Sequence, residues 1–268
     1  MPQNEEINAL TAAVENAYSV FARYRPGSQL ATCRCPQCMD DDTEQLLLKT
    51  PLREIDCHLL SEYTWSANGT NDPKYDDNEL RYFLPRYFEL IAADEQPCFG
   101  DPEPALRQLG TIGYRASWPG HEVEAIDRFF SALFRVTLAK PLLWHQTEFV
   151  GIVAISDVED TMCVIAYGAG DMASLLSIWD SGEVPYANDH LACLANHCEK
   201  DDQTHGLWSA FWGGAIPHAK IVAAWIRRAE TIARLQKALQ TLVPGKEAEL
   251  FEKAISVVER LIQKRDAD

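Results

Sequence analysis

Cys33, Cys35 and Cys38 lie within six residues of one another in a C-x-C-x-x-C pattern. Thiolates are preferred ligands of soft and borderline metal ions, and structural zinc takes four thiolate or imidazole ligands in a tetrahedron. One loop therefore offers three of the four ligands. Cys57, followed by His58, is the nearest candidate for the fourth, so the pattern points to structural zinc on Cys33, Cys35, Cys38 and Cys57. The competing reading is ordinary reduced thiols, since eight cysteines in a chain with no recognisable secretion signal fit a reducing compartment. A second grouping, His190, Cys193 and His197 with Cys198 beside it, falls on one face of an expected helix. That spacing lets three ligands converge, and it equally suits packing against a neighbouring helix.

Other chemistry-bearing patterns stop short. His121-Glu122 lacks the second histidine of a zinc-protease helix, and Gly245-Lys246 lacks the glycine loop and the following hydroxyl of a phosphate cradle. No G-x-S-x-G elbow occurs, and Gly168-Ala169-Gly170 alone does not make a dinucleotide site. An enzyme built on this chain would have to assemble its site from distant groups such as His145, His190 or His205 with nearby acids. Trp208, Trp212 and Trp225 either line a groove or fill the core.

The formal net charge of −16 is unevenly spread, with −9 on residues 1–100, −8 on 101–200 and +1 on 201–268. Such a surface repels phosphate backbones and attracts a basic protein, although solubility alone also accounts for an acidic balance. The expected function is a protein-binding module, most concretely an immunity-type inhibitor that neutralises a basic toxin or enzyme. Its expected contacts are Asp40, Asp41, Asp42, Asp72, Asp76, Asp77 and Glu79. A metal-supported scaffold or adaptor is the alternative. No apolar run is long enough to span a bilayer, so a cytoplasmic location is expected.

The elements that must position these residues read as helices. In Asp77 to Ile91, Leu80, Phe83, Leu84, Tyr87, Phe88 and Ile91 recur at three-and-four spacing, with Pro85 expected to kink or restart the helix. Further helices are expected over 5–24, from Thr43 as cap to Lys49, over 55–67, from Gly120 to Pro141, over 186–199, as one long helix over 219–242, and at the C-terminus. The β-branched segments FVGIVAI and MCVIAY suit strands by composition, yet plausible caps at Thr147, Asp157 and Asp171 favour helix there. The expectation is an all-α fold of antiparallel helix pairs stacked in a HEAT-like array, in one domain or divided at 118/119.

Cys33-Arg34-Cys35-Pro36-Gln37-Cys38 followed by Phe83-Leu84-Pro85-Arg86 and Glu89-Leu90 resembles a group of uncharacterised bacterial helical proteins, in which a Cys-rich element precedes an FLPR helix. Ala210-Phe211-Trp212, Trp225 and Ala233-Arg234-Leu235 are similar to that group's C-terminal part. The resemblance covers about the first third and last quarter of the chain. It implies an all-helical fold and assigns no functional residue, and the valine-rich middle departs from it.

Overall fold

The computed structural model describes residues 2–67, 77–95, 97–98, 103–147, 151–198 and 206–265. It is mostly helical, with thirteen α-helices and one two-stranded sheet among the described residues. No described helix is long and apolar enough to cross a membrane. The chain folds as two compact units that interleave along the sequence: one holds 7–133 and 164–170, the other 1–6, 134–163 and 171–268.

In the unit formed by 7–133 and 164–170, helix α1 (Pro2–Phe21) buries Leu10, Val14, Ala17 and Phe21. Helix α2 (Asp41–Lys49) is capped three residues earlier than the expected Thr43, because the Asp40 carboxylate accepts the Thr43 amide at 2.8 Å. Asp56 does the same for α3 (Cys57–Ser66), accepting from Leu59. Helix α4 (Asp77–Ala92) runs unbroken through Pro85. Its continuous apolar face supplies the reason: Phe83, Leu84, Tyr87 and Phe88 are all buried on both sides of the proline, so packing outweighs the lost hydrogen bond. Phe88 stacks on Phe129 of α7 (Gly120–Ala139) with centroids 3.9 Å apart. Between them come the short helices α5 (Arg107–Thr111) and α6 (Tyr114–Ser117).

The Gly168-Ala169-Gly170 turn closes this unit for a steric reason. A Cβ on Gly168 would stand 2.6 Å from the Phe130 ring, and one on Gly170 would stand 2.2 Å from Ile165.

In the other unit the expectation of helix throughout 147–167 is corrected. Strands β1 (Leu143–Thr147) and β2 (Gly151–Ile155) form an antiparallel hairpin, with Leu143 opposite Ile155 and Thr147 opposite Gly151. β-Branched side chains on a half-buried pleated surface decide the outcome over the apparent caps: Ala154 is buried while Leu143 and Ile155 stay exposed. Helices α8 (Val158–Tyr167), α9 (Met172–Ser181) and α10 (Ala187–His197) follow.

The single helix expected over 219–242 is instead two, α11 (Ile216–Ile226) and α12 (Ala229–Leu239). No glycine or proline marks the break. Side chains make it: Arg228 Nε and Thr231 Oγ1 donate to the Trp225 carbonyl at 2.9 and 3.1 Å, satisfying a helix end that would otherwise be orphaned. Helix α13 (Lys246–Arg265) packs on α10 and α12.

Candidate metal centre

The cysteine loop is held by groups on both sides of it. Before the first thiol, the Leu30 amide donates to Glu44 at 2.6 Å and the Ala31 amide to Glu79 at 3.0 Å. Thr32 then bridges to Ala67, and the Cys33 amide donates to the Ser66 carbonyl at 2.6 Å. Beyond the last thiol, the Met39 amide donates to Ser66 Oγ at 2.8 Å. Both carboxylates are almost fully buried and satisfied: Glu79 also accepts from Tyr63 Oη at 2.7 Å, and Glu44 takes a two-pronged bond from Arg34 at 2.8 and 2.9 Å. The Arg34 guanidinium holds the Glu44 carboxyl below the usual carboxylate range.

Between these anchors the Cys33, Cys35 and Cys38 sulfurs all lie within 4.8 Å of one another. Zinc–thiolate bonds of about 2.3 Å at tetrahedral angles place sulfurs about 3.8 Å apart, so three ligands of a tetrahedral site are nearly in position. Their order is imposed by carboxylates and backbone, which removes much of the entropy cost of assembling a site from a loop.

The three thiols are not equivalent. Cys35 is exposed, with its sulfur 3.3 Å from that of Cys38, and the Cys38 amide closes the turn onto the Cys35 carbonyl at 3.1 Å. A hydrogen bond from the Gln37 backbone, then those from Cys38 and Cys33, lower the Cys35 thiol to about 7. Cys38, hydrogen-bonded to Cys35 and Cys33, is pushed up to about 11.

Cys57 does not join them. It opens α3 while Ser66, which touches the loop, closes it, an axial separation of about 13 Å at helical rise. Its thiol faces Glu95, and burial raises its pKa. The fourth ligand expected from Cys57 is not part of the cluster, which among the described residues holds Cys33, Cys35 and Cys38.

Among the described residues, the expected acidic contacts separate into three sets. Asp40, Asp41 and Asp42 are exposed at the start of α2, directly after Cys38. Asp77 is occupied by Trp118 Nε1 at 2.9 Å. Glu79 is buried beneath the cysteine loop and cannot meet a partner. Asp72 and Asp76 lie outside the described residues, as does His205. Glu44 and Glu79 are the residues that sequence reasoning missed as loop anchors. Glu44 lies three residues before the buried Leu47 on α2, and an acid on the inward side of a short helix is the one available signal.

The second grouping does not converge on a metal. Buried His190 bridges the hairpin base, with Nδ1 2.6 Å from Ser156 Oγ after β2 and Nε2 2.8 Å from the Lys140 carbonyl before β1. The carbonyl can only accept, which places the ring proton on Nε2 and leaves Nδ1 to accept from serine. Cys193 turns to the Ala154 carbonyl and Cys198 to the Leu194 carbonyl, and burial pushes both thiols up to about 12. His145 is exposed on β1. Trp212 and Trp225 are buried, whereas Trp208 is exposed.

Burial also pushes His190 below its ordinary value of 6.5. A base that is harder to protonate in the folded state favours folding above the unfolded value, and that advantage is lost progressively as pH falls below it. Wild-type protein should therefore lose up to about 1.4 kcal/mol per pH unit more than His190→Gln when urea denaturation is repeated below pH ~6.5. Equal pH dependence in the two proteins would contradict this.

No family model, curated protein or solved structure matches this chain.

Proposed function

We propose that this chain is a metal-supported protein-binding module, in which Cys33, Cys35 and Cys38 hold one zinc ion and the adjoining acidic surface takes a basic protein. The scaffold is read as antiparallel helix pairs stacked in the manner of a HEAT-like array, working in the cytoplasm. The observation that carries the reading is the convergence of three thiols within 4.8 Å on an anchored loop. Zinc is favoured over harder ions by an all-sulfur donor set.

Support for the binding surface comes from what adjoins the loop. Asp41 and Asp42 open α2, and Leu46, one turn after Asp42, is 57% exposed. Trp65, next to Ser66, is 61% exposed. Exposed tryptophan and leucine beside carboxylates suit a partner that buries apolar surface and supplies cations, with charge setting the rate of encounter. An immunity-type inhibitor of a basic toxin or enzyme is the concrete form of this reading.

Zinc titration against a chromophoric chelator tests it. The wild type should take one equivalent, Cys35→Ser should bind about 100-fold more weakly, and Cys57→Ser should bind as wild type. Wild type that does not compete with the chelator, or a Cys35→Ser variant of unchanged affinity, removes the metal on which the reading stands.

A further inference from the structure

Residues 201–268 carry +1 in a chain of −16, and this part of the sequence builds one wall of a cavity of about 490 Å³. Its lining includes Asp180 of α9, Trp225 of α11, and Arg228, Arg234 and Lys237 at the start and along one side of α12. Arg234 and Lys237 are three residues apart, hence neighbours on the helix surface. The break between α11 and α12 puts Arg228 at the α12 N-cap, where no side chain caps the helix. The positive end of the helix dipole therefore adds to three side-chain cations.

The cations are only partly neutralised. Asp180 lies 3.0 Å from Arg228 Nη2 through either oxygen and 3.7 Å from Arg234 Nη1. Arg234 donates Nε to Asn188 at 2.6 Å and Nη1 to the Trp179 carbonyl at 2.7 Å, while its Nη2 is buried with no hydrogen-bond partner among the described residues. Glu230, the other lining acid, is exposed.

We propose that this cavity binds a phosphate monoester. A ligand with a single carboxylate would offer the cations little that Asp180 does not already supply. A dianion with three terminal oxygens outcompetes that internal carboxylate for Arg234 and Lys237, neighbours on α12, while Arg228 and the α12 N-terminus add positive potential from the start of the helix. The cavity is larger than a phosphate group, so the organic body of the ester fills the rest. This inference uses no residue of the thiol cluster and stands apart from the metal reading.

Isothermal titration of the full chain at low salt, with inorganic phosphate, phenyl phosphate and benzoate as probes, tests it. Phenyl phosphate should bind at least about tenfold more tightly than benzoate, and exposed Lys237, changed to Gln, should weaken it about tenfold. Asp180→Asn removes the internal competitor and should tighten phenyl phosphate binding, an effect that a purely structural role for Asp180 would not produce. Inorganic phosphate as tight as phenyl phosphate supports the site with free phosphate as its source, and weaker binding supports it with an organic ester as the source. The proposal is overturned by no binding of either phosphate up to about 10 mM, by benzoate binding equally well, or by unchanged affinity in K237Q and D180N.

Discussion

Replacing Glu122 with alanine should destabilise the protein by about 3–5 kcal/mol, the range for removing one partner of a buried ion pair. Glu122 sits in the first turn of α7, where the helix dipole favours an anion, and its side chain has no exposure to solvent. One oxygen accepts from Arg23 Nη2 at 2.5 Å and from the Tyr24 hydroxyl. The other stands 3.2 Å from Arg81 Nε in an ion pair without hydrogen-bond alignment, and neither of these two atoms has a hydrogen-bond partner among the described residues.

Arg81 is in turn enclosed, its guanidinium 4.3 Å from the Trp118 ring centroid and 5.1 Å from that of Tyr24. With the carboxylate gone, a largely buried guanidinium keeps, among the described residues, only Asp77, 3.8 Å away, as a counter-charge. Glu122→Gln retains an acceptor for Tyr24 but not the charge, so its loss should fall between wild type and alanine. Arg23→Ala, whose side chain is 57% exposed, should change stability far less than Glu122→Ala. Urea denaturation followed by circular dichroism measures all three. A loss under about 1 kcal/mol for Glu122→Ala would show that water replaces the carboxylate.

Gly110→Ala should cost about 3 kcal/mol, at the upper end of overpacking, because the new methyl would stand 2.0 Å from the Tyr167 carbonyl oxygen. Neither group can turn aside: Gly110 is inside α5, and Tyr167 is the last residue of α8. Gly120→Ala is the matched control, since nothing lies within 4 Å of its added Cβ and it opens a helix. That change should be neutral or stabilise slightly. Thermal denaturation of the pair checks the claim, and equal midpoints would contradict it.

Helical periodicity carried most of the fold. Leu80, Phe83, Leu84, Tyr87 and Phe88 declare their face at three-and-four spacing, and all are buried. Two regions resisted, for different reasons. In 143–155 a β-branched run is ambiguous between helix and strand until a partner is known, and the hairpin is fixed by His190, whose two nitrogens tie its ends from 34 and 50 residues away. At 227–228 the helix breaks with no breaker in the sequence, because Asp180 draws on Arg228 and the Trp225 carbonyl finds side-chain donors.

The cysteine triplet was visible as a pattern, since its members are local. Its anchors were not, because Glu44, Ser66 and Glu79 reach the loop from three separate helices. The same limit explains Cys57. Proximity in sequence suggested a ligand, and helix rise carried it to the far end of α3.

X-ray absorption at the zinc edge of the zinc-loaded protein tests the central claim most directly. Three sulfur scatterers at about 2.3 Å and one oxygen or nitrogen at about 2.0 Å are predicted, the three being Cys33, Cys35 and Cys38. A shell of oxygen and nitrogen alone, or a protein that retains no zinc after dialysis, would contradict it.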